Sequence, residues 1–100
     1  MEKVIRDGKV GVLISPGYGA GFYTCNAPLE AIFDPTLIGL IEDGEIEKAV
    51  EYCDTKWGIY TGGVPDLQVM WIAEGTTFTI DEYDGLEYLR TKDDIEWIIA

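Results

Sequence analysis

Residues 4–15 read Val4-Ile5-Arg6-Asp7-Gly8-Lys9-Val10-Gly11-Val12-Leu13-Ile14-Ser15, and this stretch decides how the chain starts to fold. Asp7-Gly8 between two apolar runs is a tight-hairpin signal, because both residues tolerate the positive φ that a type I′ turn demands. Val10, Val12, Leu13 and Ile14 place apolar groups on parts of both faces, which predicts a strand covered on two sides. Pro16-Gly17-Tyr18-Gly19-Ala20-Gly21 then breaks the strand, since three glycines within five residues suit a loop. Phe22-Tyr23-Thr24 has the composition of a third short strand.

Outward from this hairpin the period changes. Asn26 with Pro28 opens a short turn through Phe33. Asp34-Pro35 is a stronger helix start, with Asp at the N-cap and Pro at the first helical position. Asp43-Gly44 stops that helix. From Glu45 a second one follows, with Ile46, Ala49, Val50 and Cys53 at i, i+3, i+4 and i+7. The last third returns to strands: Leu67–Ala73, Thr77–Asp81 and Leu86–Arg90, with Glu74-Gly75 and Asp84-Gly85 as turns, and a short strand-like run at Ile95–Ile99. Phe78 and Ile80 fall on one face. The predicted class is α+β, a mostly antiparallel sheet with one or two helices packed on one face, built as a single domain over residues 1–100.

The chain carries 19 Asp/Glu against 7 Lys/Arg and no histidine, for a net charge of −12. Such a surface disfavours direct contact with nucleic acid, whose binding rests on Lys and Arg neutralising phosphates. It disfavours anionic membranes for the same reason. A catalytic histidine and a His-ligated metal are excluded outright. The opening Met1–Asp7 lacks the apolar run of a secretory leader, and no stretch reaches the roughly 18 apolar residues of a membrane span. A cytoplasmic, soluble protein is expected. Cys25 and Cys53 read as two reduced, partly buried thiols.

Charge is uneven along the chain: residues 1–33 are neutral, whereas residues 34–54 carry −6 and residues 66–100 carry −7. Two clusters stand out, one along the helices and one around the second hairpin. The candidate partner-binding residues are Glu42, Asp43, Glu45, Glu47 and Glu51, with Asp81, Glu82, Asp84 and Glu87 as a second patch. Acids at this density repel one another, a cost offset when they imitate a nucleic-acid backbone and dock on a basic protein surface. The simpler reading is a solvated face that keeps the protein soluble. Tyr18, Phe22 and Tyr23 in the Gly/Tyr loop are candidate anchors for a partner.

Chemistry has few materials here. Gly17-Tyr18-Gly19-Ala20-Gly21 lacks the third glycine of a dinucleotide fingerprint, since position 22 is Phe. Aligning Gly85 with the invariant glycine of a calcium loop puts Ile80 and Thr91 at positions that need acids. Ser15 is the only serine, and no histidine is there to activate it. No catalytic residue, metal site or cofactor is assigned, and no enzymatic activity is expected.

The stretches SPGYGAGFYTCN (15–26) and EGTTFTIDEYDG (74–85) resemble short acidic proteins of phage and prophage origin. That resemblance implies a host-directed role and assigns no residue a function. The expected function is therefore that of a non-enzymatic acidic inhibitor, a nucleic-acid mimic docking on the basic surface of a host protein that handles nucleic acid or serves in defence. The alternatives are a self-assembling interaction module, a homo-oligomer joined through a strand edge such as Trp97-Ile98-Ile99, and a small-ligand binder built around the Gly/Tyr loop.

Overall fold

A computed structural model of the chain describes residues 1–17, 21–92 and 100. The first hairpin forms as its residues dictate. β1 (Ile5–Arg6) runs antiparallel to β2 (Lys9–Ile14), with Ile5 opposite Val10 and Arg6 opposite Lys9. Asp7 and Gly8 sit at φ 52° and 76°, the left-handed pair of a type I′ turn. β3 (Gln68–Ala73) lies antiparallel on the other edge of β2, from Lys9 opposite Ala73 to Ile14 opposite Gln68. β2 is thus the centre of a three-stranded sheet. Every residue from Val10 to Ile14 is buried, as an unbroken apolar run implies for a strand covered on both faces.

Between β2 and β3 the chain turns helical. Residues 29–33 form a 3-10 turn that buries Ala31, Ile32 and Phe33. α1 (Pro35–Glu42) starts at Asp34, whose side chain accepts from the Leu37 N–H at 2.9 Å. Gly44, at φ 72°, ends that segment. α2 (Ile46–Trp57) buries Ala49 and Cys53 and closes on Gly58 at φ 60°. Asp34 also ties the two helices together, because it accepts from the Tyr52 hydroxyl and from Lys56 Nζ, each at 3.0 Å. Its carboxylate is nearly buried but has three kinds of donor around it, so the desolvation cost is offset.

The remaining strands, β4 (Phe78–Tyr83) and β5 (Leu86–Thr91), form a separate two-stranded sheet. Asp84 and Gly85 make its type I′ turn at φ 52° and 82°. The fold is α+β with antiparallel strands in two sheets rather than one continuous ladder. Phe22–Thr24 is not a strand. The Phe22 carbonyl instead accepts from the N–H groups of Cys25, Asn26 and Ala27, so the segment is a compact turn. The run at 95–99 lies outside the described residues.

The core gathers Val12, Leu13, Phe22, Ile32, Leu37, Ile38 and Val64, all essentially inaccessible. Phe33 meets Phe78 edge to face at 6.2 Å, which joins the 3-10 turn to the second sheet. Trp57 and Trp71 are half-buried, whereas Tyr88 is exposed.

Two glycines test this packing in opposite directions. A Cβ on Gly63 would collide with the Gly21 carbonyl, while one on Gly39 would meet nothing within 4 Å. Gly63→Ala is expected to destabilise the fold by about 2 kcal/mol or more. Gly39→Ala, inside α1, is expected to stabilise it by about 0.5–1 kcal/mol. Urea denaturation of both variants measures this pair of opposite shifts.

Candidate functional site

The helical acids do not behave alike. Glu42, at the end of α1, takes a bidentate bond from Arg6 at 2.6 and 2.8 Å. That bond, more than the accompanying Coulomb attraction, holds the Glu42 carboxyl below its ordinary range. Arg6 also lies 4.8 Å over the Trp71 ring, and Trp71 covers Gly11 across the β2–β3 pair. Glu42 therefore links α1 to the sheet. Asp43, Glu45, Glu47 and Glu51 are exposed. Glu45 approaches Lys48 at 3.9 Å, and among the described residues Asp43, Glu47 and Glu51 make no ion pair.

Helix geometry arranges these acids in a row. Glu47, Glu51 and Asp54 stand at i, i+4 and i+7 of α2, on one stripe. At a rise of about 1.5 Å per residue they put a carboxylate every ~5 Å along the axis, against a charge every ~3.4 Å along one DNA strand. Glu47 in the first turn is favoured by the helix dipole. Glu51 and Asp54 gain nothing from it, and like charges spaced i, i+4 cost a few tenths of a kcal/mol, ~0.3 per pair.

The hairpin patch divides further. Asp81 is paired with Arg90 at 3.0 Å across β4 and β5. Glu82 Oε2 accepts from the Gly85 N–H at 2.8 Å and braces the turn. Asp84 is exposed at the tip. Glu87 does not belong to a surface patch at all: it is 1% exposed. Its Oε1 accepts from the Ser15 N–H at 2.8 Å. Its Oε2 accepts from the N–H groups of Phe22 at 2.9 Å and Thr24 at 2.8 Å, and from the Thr24 hydroxyl at 2.7 Å. The register sets its face, and the donors from residues 15–24 hold it inside. Ile80 pairs with Leu89 and Glu82 with Glu87, so Glu87 shares the inward face of Phe78 and Ile80.

The two patches are tied to opposite ends of β2. Glu42 is bound to Arg6, which stands opposite Lys9, whereas the Glu87 N–H donates to the Ser15 carbonyl at 2.9 Å. The length of β2, about 20 Å at ~3.3 Å per residue, separates these anchor points. Of the loop anchors, Phe22 is a core residue at 1% exposure. Its own N–H is held by Glu87 Oε2. Tyr23 is half-buried, and Tyr18 lies outside the described residues.

Among the described residues no group of three or more Cys, Asp or Glu is placed to hold a metal ion, and no helix is long and apolar enough to cross a membrane. The two thiols differ: Cys25 is exposed and Cys53 buried. Burial, with the Asp34 charge as a lesser cause, pushes the Cys53 thiol up to about 11. The chain matches no protein-family description, no curated protein and no solved structure.

Replacing Glu87 by Ala orphans the buried N–H groups of Ser15 and Phe22 and the part-buried N–H of Thr24, and is expected to cost at least ~3 kcal/mol. Glu87→Gln turns an amide toward those same donors and recovers only part of the loss. Glu82→Gln and Asp84→Asn should stay within ~0.5 kcal/mol of the parent in the same urea titrations. Thiol labelling at pH 8 should modify Cys25 alone in the native protein and both cysteines after denaturation, because buried Cys53 remains protonated.

Proposed function

We propose that this chain is a non-enzymatic acidic binding protein that docks the α1–α2 face on a basic, nucleic-acid-binding surface of a partner protein. The exposed acids Asp43, Glu45, Glu47 and Glu51, the last two on the α2 stripe with Asp54 and Glu45 alone of the four ion-paired among the described residues, carry this reading. Its mutual repulsion is relieved when a cationic groove closes over it, and complementary fields of this kind speed encounter and select the partner. Asp84 and the paired Asp81 extend the negative surface only secondarily, and Glu87 takes no part. The resemblance to phage and prophage proteins favours a host enzyme of nucleic-acid handling or defence as the partner. A cytoplasmic location follows from that role.

The test is capture from bacterial lysate at low and high salt, with tagged parent protein beside the double variant Glu47→Lys/Glu51→Lys. A nucleic-acid-binding protein retained at low salt, released at high salt, displaced by duplex DNA and bound at least about tenfold more weakly by the variant supports the mimic. Equal retention by parent and variant overturns it.

A further inference from the structure

The clefts among the described residues differ in charge in a way that the overall composition conceals. One carries Glu2, Glu30 and Asp34 in its wall, a second Asp81, and a third Asp7. The largest of these clefts, about 480 Å³, has no carboxylate among the described residues of its wall. Phe33, Phe78, Ile32 and Ile80 give it an apolar floor, with Tyr23 and Lys3 as polar groups at its side. In a chain of 19 acids, a wall whose described residues include a lysine and no acid sets this cleft apart.

The cleft is built by the core. Phe33 and Phe78 hold each other edge to face, with their ring planes at 78°. Ile80 is buried on the inward face of β4. Tyr23 is bracketed by the two backbone N–H groups, of Phe22 and Thr24, that Glu87 Oε2 accepts. The buried carboxylate thus fixes a wall of the cleft from behind. Lys3 Nζ lies 5.1 Å from the centroid of the Phe33 ring and makes no ion pair among the described residues. Arg6, Lys48, Lys56 and Arg90 each have a carboxylate partner, whereas Lys9 and Lys92, like Lys3, have none among the described residues, and neither of them lines this cleft.

We propose that this cleft binds a small apolar monocarboxylate, with its hydrocarbon body against Phe33, Phe78 and Ile32 and its carboxylate on Lys3. The volume falls within the ~300–1,000 Å³ of small-molecule sites, which are largely apolar with a few polar groups that set orientation. A ligand cation would meet Lys3 and find no wall carboxylate. A neutral ligand would leave the ammonium unmatched. A multiply charged anion such as a phosphate is opposed by the field of a protein of net charge −12, so a single negative charge on an apolar body fits best. This site stands apart from the acidic α1–α2 row, and either assignment survives failure of the other.

The full chain is titrated with indole-3-acetate and with octanoate, and the backbone amide resonances are followed by NMR. Indole-3-acetamide and tryptamine serve as the neutral and cationic counterparts. At least one carboxylate is expected to shift Phe33, Thr79 and Ile80, and which of the two binds tells an aromatic from an aliphatic body. The amide and amine should bind at least about fivefold more weakly, Lys3→Glu should weaken the carboxylate by about the same factor, and Lys3→Arg should retain it. Lys3 is exposed, so circular dichroism of Lys3→Glu should match the parent. Absence of shifts at these residues with both carboxylates at millimolar concentration overturns the proposal, as does equal affinity for the amine or an undiminished Lys3→Glu.

Discussion

A carboxylate without a cation holds the described fold together. Glu87 is buried with its charge balanced by three backbone N–H dipoles and one hydroxyl, all supplied by the segment just after β2. Removing an ionised carboxylate from water costs several kcal/mol, on the order of 5, unless its lone pairs are filled by well-placed donors, and here they are. The same junction takes in a third segment through Ser15, whose hydroxyl donates to the Gly63 carbonyl at 3.0 Å. Gly63 has to be glycine, since the Gly21 backbone occupies the place of its side chain. Strand β5, the turn at Phe22 and the loop before β3 are positioned by one another at this point. The single serine of the chain is held in that junction by both its N–H and its hydroxyl.

Acidity here is divided among three tasks. Asp34 and Glu87 act inside, the first joining two helices and the second joining the second sheet to the first. Glu42 and Asp81 are matched to arginines and fasten neighbouring elements. Among the described residues, the acids exposed without an ion pair include Asp43, Glu47, Glu51 and Asp54 along the helices, Asp84 at the hairpin tip, and the scattered Glu2, Asp7, Asp66 and Glu74. Net charge alone therefore overstates the acidic surface that is free of internal ties. The same division bears on the cleft at Lys3, whose described wall holds no acid: several carboxylates are held as ties within the fold.

Much of the architecture was legible because its signals are local. Both Asp-Gly turns, the Asp34-Pro35 helix start and the apolar spacing of α2 each depend on steric or capping rules that act within a few residues. The Phe22–Thr24 segment was misread, because what shapes it is a carboxylate more than sixty positions away. Glu87 as a surface acid was an avoidable error. A two-residue Asp84-Gly85 turn sets the register, and that register places Glu87 on the face already assigned to Phe78 and Ile80. The separation into two sheets and the grouping of Lys3 with Tyr23 and Phe78 had no sequence signal, since both arise from tertiary contacts.

The Ser15–Glu87 junction also sets an order on assembly. The two hairpins and the α1–α2 pair close loops of a few residues and can form wherever they lie. The junction joins positions 72 apart, as the β2–β3 ladder joins residues 9–14 to 68–73. Closing such loops carries an entropic cost before any contact is made, and that cost is recovered only when several long-range bonds form together. The junction is therefore the keystone of this arch: the local pieces stand first, and the buried carboxylate is placed when they meet.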